Sequence, residues 1–280
     1  MQAKALYKAI LSRLEQAGIE DAGFDGLQLF AHHTGMEISH LLTHPEKEVS
    51  SEQETALWES VEKRCEGEPL QYILGSWEFY GLPFSVGQGV LIPRADTEVL
   101  VDEALRLLEG VENPKIADLC AGSGCIGITL AKQREDAQVT LLELSPQAAA
   151  YCQKNIQQNE AKNASLWIRD ILEGPKEIGG LDMIVSNPPY IPAQDMKTLS
   201  KEVQAEPKMA LYGGEDGLDF YRFIISHWTP ALKREGAMVL EVGIHQAQAV
   251  EAMLCEQFEQ VYIVPDLNNI PRVLLGVIGK

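Results

Sequence analysis

The fold is decided by the stretch IADLCAGSGCIG, residues 116–127. Its apolar start predicts a strand, and the apolar pattern after Gly124 predicts a helix. The glycines between them let the backbone turn tightly and approach a ligand without clashes of a Cβ atom. The N-terminus of the helix offers free N–H groups and partial positive charge. The stretch therefore predicts a ligand site where a strand ends and a helix begins.

From this stretch to the end of the chain, strands and helices alternate. The predicted strands are 116–119, 139–143, 166–169, 183–186, 237–242, 261–264 and 273–278. The predicted helices are 126–134, 146–159, about 218–232 and about 246–258. Such alternation is typical of an α/β protein with a parallel sheet covered by helices on both faces. The last two strands have too short a connection for a crossover helix, so we expect them to pair antiparallel.

The first quarter of the chain has a helical pattern instead. Asp21 is predicted to cap a second helix that carries Phe24, Leu27 and Ala31. A later helix is predicted to begin at a capping box formed by Ser51 and Glu54. After this part, the aromatic residues around a glycine turn at 77–86 predict a β-hairpin. We therefore expect a small helical bundle that a hairpin links to the sheet.

The overall composition favours some classes of partner and compartment over others. A net charge of −18 over 280 residues disfavours binding of a phosphate backbone and favours a basic protein partner. The five cysteines include no CxxC pair, which favours a reducing compartment. The charged N-terminus and the lack of a long apolar run predict a cytoplasmic protein without a membrane segment. The histidines of the N-terminal part lack metal-ligand spacing, so no metal site is expected.

Acidic residues follow the predicted strands at the same edge as the glycine loop. Glu143 ends the second strand, where a carboxylate can accept both hydroxyls of a ribose. Residues 122–127 also match the GxGxxG dinucleotide fingerprint, so a nicotinamide or flavin oxidoreductase is a rival interpretation. Asp118 favours S-adenosylmethionine instead, because a carboxylate there repels a pyrophosphate and attracts an ammonium group. Asp170 and Ile171 follow the third strand and are predicted to contact an adenine. The predicted cofactor-binding residues are Asp118, Cys120, Ala121, Gly122, Ser123, Gly124, Glu143, Asp170, Ile171 and Asn187.

A second loop, Asn187-Pro188-Pro189-Tyr190, follows the predicted strand at 183–186. Two adjacent prolines cannot continue a strand, because each lacks a backbone N–H and has a fixed φ. The loop is therefore a rigid ledge of hydrogen-bond acceptors beside an aromatic ring, which suits a planar –NH2 group. We predict that the Asn187 side-chain oxygen and the Pro188 carbonyl each accept one hydrogen of that group, while Tyr190 packs on its face. A glutamine amide and an adenine amino group both satisfy this geometry.

Several stretches outside these two loops point to one family. They are 69–75 (PLQYILG), 77–81 (WEFYG), 91–98 (LIPRADTE), 206–207, 210–211 and 272–273. With the glycine loop and the second loop, they make the chain resemble the protein-(glutamine-N5) methyltransferases of the HemK/PrmC type, which modify bacterial release factors. The second loop alone is shared with adenine-N6 DNA methyltransferases. Two positions depart from the family pattern, since Glu143 stands where Asp is frequent and Cys120 where Gly is usual.

The resemblance implies a class I S-adenosylmethionine-dependent methyltransferase. Its Rossmann-like, seven-stranded mixed sheet with an antiparallel last strand is expected at 93–280, preceded by a substrate-engaging helical domain at 1–75 and a hairpin linker at 76–92. The implied substrate is the glutamine of the Gly-Gly-Gln motif in class I peptide chain release factors, and the implied by-product is S-adenosylhomocysteine. The predicted catalytic residues are Asn187, Pro188 and Tyr190, and the predicted substrate-binding residues are Asn187, Pro188, Pro189, Tyr190 and Arg94.

Two alternatives to this interpretation stay open beside the oxidoreductase. A DNA adenine methyltransferase needs a basic groove and a base-reading segment, because the target base must be flipped out of the duplex. The sequence contains neither an excess of Lys and Arg nor an additional recognition domain. A scaffold that keeps the fold but only binds partners is disfavoured by the intact glycine loop and Asn187.

Overall fold

The computed structural model describes residues 1–279, and it describes Ile38 by its backbone alone. The chain separates into two compact units. One unit comprises Met1–Gly75 together with Ser200–Ala205, and the other comprises Ser76–Leu199 and the residues from Glu206 onward. The sequence did not predict that the segment Ser200–Ala205 groups with the N-terminal unit. None of the helices in the described part of the chain has the length and apolarity that crossing a bilayer requires.

The first unit is helical. Its helices are α1 (Ala3–Gln16), α2 (Ala22–Thr34), α3 (Ile38–Thr43), α4 (Ser51–Glu66), α5 (Leu70–Leu74) and, from the later segment, α9 (Lys201–Gln204). Helix α1 buries Leu6, Ile10 and Leu14 completely, as their four-residue spacing on one helix face requires. Helix α4 ends at Gly67, whose φ of 102° is left-handed. Helices α1, α2 and α4 pack against one another and enclose the core of this unit.

Helix α2 buries only some of its apolar residues. Phe24 is 49% exposed, whereas Ala22, Leu29 and Phe30 are buried. The predicted helix is confirmed, but Asp21 stands at its N-cap position without a capping hydrogen bond from its side chain.

The capping box of α4 lies one residue earlier than predicted. Ser50 is the N-cap, and its hydroxyl accepts a hydrogen bond from Gln53 N at 3.2 Å. The Gln53 side-chain oxygen accepts one from Ser50 N, also at 3.2 Å. Two adjacent serines are followed at the required spacing by Gln53 and Glu54, and both of those side chains suit this motif. The sequence therefore could not distinguish the two registers.

A buried ion-pair network holds the segment Ser200–Ala205 on the first unit. Arg64 Nε donates to Asp25 Oδ2 at 2.6 Å, and the same guanidinium pairs with Glu202 of α9. Arg64 and Asp25 are both 5% exposed. Burial raises the pKa of Asp25, although Arg64 opposes that shift. Removing one member of the buried Arg64–Asp25 pair leaves an uncompensated charge, and Glu202, whose side chain is 48% exposed, joins the segment to this pair.

The second unit begins with the predicted hairpin, formed by β1 (Ser76–Phe79) and β2 (Leu82–Ser85). Its two turn residues, Tyr80 and Gly81, have φ values of 52° and 72°, as a tight hairpin turn requires. Asn155 anchors β2, because its side-chain oxygen accepts from Ser85 N at 2.7 Å and its amide donates to Ser123 O at 2.9 Å. The hairpin is therefore fixed beside the glycine loop.

The main sheet has seven strands. They are β3 (Lys115–Leu119), β4 (Gln138–Glu143), β5 (Ala164–Ile168), β6 (Leu181–Ser186), β7 (Leu232–Glu241), β8 (Gln260–Pro265) and β9 (Pro271–Val277). The helices of this unit are α6 (Glu98–Leu107), α7 (Cys125–Gln133), α8 (Pro146–Gln158), α10 (Lys208–Leu211), α11 (Asp219–Trp228) and α12 (Ala247–Cys255). The strand order is β5-β4-β3-β6-β7-β9-β8. All neighbours are parallel except β9, which is antiparallel to both β7 and β8. The predicted seven-stranded mixed sheet is confirmed.

Hydrophobic cores cover both faces of this sheet. In β6, Val185 lies in the core that contains Leu100 and Ile128, whereas its neighbour Ile184 lies in the core that contains Trp228. This arrangement explains the continuous apolar run of β6, because a central parallel strand is buried on both faces.

The chain changes direction across the sheet at its centre. It enters at β3, adds β4 and β5 on one side, and then returns to place β6 and β7 on the other. The connections after β3 and β6 therefore leave in opposite directions and open a crevice at the carboxyl ends of these strands. Ligands of open α/β sheets bind at such a switch point.

Candidate active site

A cavity lies at the carboxyl edge of the main sheet. Three groups of residues that follow β3, β4 and β5 line it, namely 120–123, 142–145 and 169–171. Asn187 and Pro189 line it from the loop after β6, and residues 89–94 line it from the segment before α6. The two loops that the sequence singled out thus meet in one cavity.

The glycine loop between β3 and α7 follows its predicted path. Gly124 has a φ of 81°, and a Cβ atom there would lie 2.7 Å from Ile128 Cδ1 and 2.8 Å from Cys152 Sγ. Both the conformation and the close packing of that position therefore require glycine. Cys120 also adopts a left-handed φ, 62°, a conformation that favours glycine. Burial raises the pKa of its thiol well above the ordinary value, and Cys120 forms part of the cavity wall.

Asp118 lies behind the glycine loop and does not line the cavity. It is fully buried, and its Oδ2 accepts a hydrogen bond from Gly127 N at 2.8 Å. Within the described residues, Asp118 Oδ1 has no hydrogen-bond partner. Burial raises the pKa of Asp118 to about 7, although the Gly127 N–H opposes the shift. Its carboxyl group ties the end of β3 to the first turn of α7, and its contact with an ammonium group stays a prediction.

Glu143 is at the cavity wall, where β4 ends. Its Oε2 accepts from Gly122 N at 2.8 Å, and its Oε1 accepts from Ser145 N at 2.7 Å. The carboxylate is thus held by two backbone donors while its remaining lone pairs stay available for ligand hydroxyls. Burial raises the pKa of Glu143, and the backbone hydrogen bonds oppose this shift.

Asp170 and Ile171 line the cavity after β5, as predicted for residues near an adenine. Asp170 Oδ1 also accepts from Leu172 N at 2.9 Å and so caps the short 3-10 turn Ile171–Glu173. The Ile171 carbonyl accepts from Trp228 Nε1 at 3.0 Å. These contacts fix the turn, and the second carboxylate oxygen of Asp170 is not used in the cap.

Gln246 and Gly213 pack against the backbone of the Asn187-Pro188-Pro189-Tyr190 loop and support it. Gln246 Nε2 donates to Tyr190 O at 2.8 Å. A Cβ atom on Gly213 would lie 2.6 Å from Tyr190 Cα and 2.7 Å from Pro189 O. These contacts leave the backbone of the loop little freedom to move. Asn187 and Pro189 line the cavity, whereas Pro188 and Tyr190 are not among the residues that line it.

The side chain of Asn187 is held by residues to which the sequence assigned no role. Its Nδ2 donates to Thr97 Oγ1 at 3.3 Å, and Thr97 Oγ1 donates to Glu241 Oε2 at 2.6 Å. Thr97 belongs to the LIPRADTE stretch, and Glu241 ends β7. The sequence did carry a signal for Glu241, because an isolated acid closes an apolar strand there just as Asp118 and Glu143 do in β3 and β4.

Arg94, the predicted substrate-binding cation, lines the cavity. It pairs with the buried Glu206, whose Oε2 also accepts from Ile92 N at 3.0 Å. Glu206 thereby fixes the segment before α6 at the cavity rim, and the side chain of Arg94 remains 39% exposed.

The donors and acceptors of the cavity fit S-adenosylmethionine. Glu143 and Asp170 present carboxylate oxygens for ribose hydroxyls and an adenine amino group, and Ile171, Ile126 and Phe220 supply apolar wall. Among residues 1–279, no group of three or more His, Cys, Asp or Glu side chains is arranged to hold a metal ion.

The strand order, the antiparallel β9 and the cavity at the switch point define a class I methyltransferase. A solved methyltransferase from Pyrococcus furiosus has the same fold, with a TM-score of 0.53 and 15% identity, over 82% of this chain and 100% of that one. The family model of the PrmC N-terminal domain matches residues 5–75, and that of the methyltransferase small domain matches residues 96–215.

Two relatives refine this class. The release factor glutamine methyltransferase of Geobacter sulfurreducens is 41% identical over 268 residues, which cover 95% of this chain and 93% of that protein. The enzyme of the same name from Koribacter versatilis is 34% identical over 277 residues, 99% of this chain and 98% of that protein. The chain belongs to the release factor glutamine methyltransferase family.

Proposed function

We propose that the protein transfers a methyl group from S-adenosylmethionine to the side-chain amide nitrogen of the glutamine in the Gly-Gly-Gln motif of peptide chain release factors. The observation that carries this proposal is the meeting of the glycine loop and Asn187 in one cavity. The family to which the chain belongs supplies the class of substrate, because its curated members bear the name release factor glutamine methyltransferase.

Each part of the methyl donor has a proposed partner. Glu143 accepts the ribose hydroxyls, because its carboxylate is held at the cavity wall by Gly122 N and Ser145 N. Asp170 accepts from the adenine amino group, and Ile171 packs on the ring. The glycine loop holds the methionine arm, with the carboxyl group of Asp118 behind it. The donor supplies an electrophilic methyl group next to the loop after β6.

The protein's main contribution to rate is positioning. An amide nitrogen is a poor nucleophile, since its lone pair is delocalised into the carbonyl. The Asn187 side-chain oxygen and the Pro188 carbonyl each accept one amide hydrogen, which fixes the nitrogen about 3 Å from the methyl carbon in an in-line arrangement. The same two acceptors stabilise the positive charge that develops on the nitrogen in the transition state. Tyr190 packs beside the amide plane and limits its rotation.

The helical first unit is proposed to engage the release factor. Residues 1–68 contain 13 acidic and 6 basic residues, which suits a basic protein surface. The same charge disfavours duplex DNA as the substrate, because every phosphate of the backbone would be repelled.

Labelled S-adenosylmethionine tests this proposal directly. The protein is incubated with the labelled donor and, in separate reactions, with a release factor, with the same release factor lacking the Gly-Gly-Gln glutamine, and with adenine-containing duplex DNA. We expect label only in the intact release factor. Label in the DNA, or equal label in the glutamine variant, would contradict the proposal. Binding of NADH without binding of S-adenosylmethionine would favour an oxidoreductase instead.

A further inference from the structure

Thr97 and Glu241 form a buried hydrogen-bond chain behind Asn187. Thr97 is 2% exposed and Glu241 is 1% exposed. Glu241 ends β7 directly beside the end of β6, because Ser186 pairs with Leu240 in the parallel register. The two residues are 144 positions apart in sequence, so only the folded sheet brings them together. Thr97 lines the cavity, whereas Glu241 does not, so Glu241 reaches the proposed reacting atoms through Thr97 and Asn187.

The number of protons on each group decides which group donates and which accepts in this hydrogen-bond chain. Thr97 has one hydroxyl proton, which it donates to Glu241 Oε2 at 2.6 Å. Its oxygen can then only accept, so the part of Asn187 that faces it at 3.3 Å must be the Nδ2 amide group. Asn187 Nδ2 is thereby directed away from the substrate, and the opposite atom of the same amide, Oδ1, remains to accept a substrate hydrogen.

We propose that Thr97 and Glu241 are positioning residues that fix the orientation of the Asn187 amide, so that its oxygen rather than its nitrogen meets the substrate amide. This proposal rests on the proposed function and deepens it. The proposal requires that the enzyme is active when Glu241 is ionised, because a carboxylate can only accept the Thr97 proton. A protonated Glu241 can donate to Thr97, which can then donate to Asn187 Oδ1. That reversed chain turns the Asn187 –NH2 group toward the substrate, where two donors face each other.

The surroundings of Glu241 place its ionisation in an accessible pH range. Burial raises the pKa of Glu241 to about 7, hydrogen bonds from the Thr97 and Asn187 side chains and the charge of Arg272 oppose the shift, and Asp96 reinforces it. The titratable or charged groups that face Glu241 from the surrounding elements are Asp96, Arg272, Tyr190, Tyr221 and Cys125. Tyr221 also fixes the strand end, because its hydroxyl donates to Glu241 O at 2.8 Å.

Substitutions at Thr97 test the chain. Thr97→Val keeps the volume but removes the bridging hydroxyl, and we expect kcat for release factor methylation to fall about tenfold or more while binding of S-adenosylmethionine persists. Thr97→Ser restores the hydroxyl and should recover most of that loss. Thr129→Val is the matched control, because Thr129 is fully buried on α7 and its hydroxyl has no hydrogen-bond partner among the described residues. It should leave kcat unchanged.

The pH dependence of kcat tests the role of Glu241 separately. In the wild type, kcat should rise with pH as Glu241 ionises, and Glu241→Gln should lower kcat and abolish that rise. Wild-type kcat in Thr97→Val, or an unchanged pH profile in Glu241→Gln, would overturn the proposal. If Thr97→Val fails to fold, the Glu241→Gln profile still decides. All values are ratios to the wild type, so a wild type that methylates no release factor contradicts the proposed function instead.

Discussion

Asp118 and Glu241 each place a buried carboxyl group at the end of a strand, and burial raises the pKa of each to about 7 from ordinary values of 3.8 and 4.5. Between those ordinary values and pH 7, the native state holds protons that the unfolded chain has released. The stability that these groups contribute is therefore complete below about pH 4 and is lost as the pH rises through about 7. This slope is the opposite of the one that an ion-paired surface carboxylate produces.

Asp118→Asn should make the free energy of unfolding less dependent on pH. The variant has no proton to release, so the free energy of unfolding should fall less steeply between pH 5 and pH 7 than in the wild type, by an amount that approaches one proton. Urea unfolding at several pH values, without cofactor, measures the difference. Parallel pH profiles of the two proteins would show that Asp118 is ionised in the native state throughout this range.

The sequence allowed us to predict which residues belong to the site, but not where each side chain points or which residues it contacts. Glu143 and Asn187 line the cavity, as predicted from strand ends that meet at one edge of a sheet. Asp118 follows the same sequence logic but lies behind the loop, because a local pattern does not say whether a side chain points outward or under the next helix. Thr97 was inside a recognised stretch, yet its role depends on a contact with Glu241 that only the strand order creates.

At the scale of elements, the loop after β6 owes its rigidity to the strand that it leaves and to a second backbone segment beneath it. Ile191 N donates to Leu211 O at 2.8 Å, and Gly213 N donates to Ile191 O at 3.0 Å. Gly213 lies so close to the loop that an added Cβ would meet Tyr190 backbone atoms at 2.6 and 2.9 Å. Backbone atoms cannot move aside as a flexible side chain can, so a Cβ atom at position 213 would force the loop itself to shift.

Gly213→Ala should therefore reduce catalysis although position 213 does not line the cavity. A displacement of about 1 Å at the Pro188 carbonyl can lower the rate by about 10²-fold. Gly179→Ala is the control, because Gly179 is also a loop glycine and an added Cβ there meets no atom within 4 Å. Steady-state kcat and calorimetric binding of S-adenosylmethionine separate loop displacement from loss of the cofactor. Equal kcat in both variants would contradict this account of the loop.

The order and type of elements in the second unit could be predicted because apolar periodicity and Gly or Pro boundaries agree there. All seven predicted strands of the main sheet exist, and β9 pairs antiparallel with both of its neighbours. Strand β7 begins at Leu232, five residues before its predicted start at 237, because Lys233, Arg234 and Glu235 are exposed and interrupt the apolar pattern. The short helices α9 and α10 were missed, since segments of four residues carry no periodicity.

At the scale of the whole molecule, the net charge supports the proposed protein partner. The net charge of −18 opposes binding of a nucleic-acid backbone and favours encounter with a basic protein surface. Exposed charges on two proteins attract one another over roughly the Debye length, which is about 10 Å at 0.1 M salt and about 3 Å at 1 M.

Salt should therefore weaken the encounter with the release factor more than the binding of the methyl donor. The KM for the release factor should rise severalfold between about 0.1 M and 1 M salt, because screening removes most of the attraction between exposed charges. Binding of S-adenosylmethionine, which is held inside the cavity, should change much less and serves as the control. A KM that is independent of salt would argue that the complex forms through apolar contacts.

The central claim is that Asn187 positions a glutamine amide beside the methyl donor. Tandem mass spectrometry of the release factor after reaction, with wild-type protein and with Asn187→Ala at equal donor saturation, tests it most directly. We predict one methyl group on the side-chain nitrogen of the Gly-Gly-Gln glutamine, formed about 10²-fold or more slowly by Asn187→Ala, with donor binding retained. A methyl group at another residue, or an undiminished rate in Asn187→Ala, would contradict the claim.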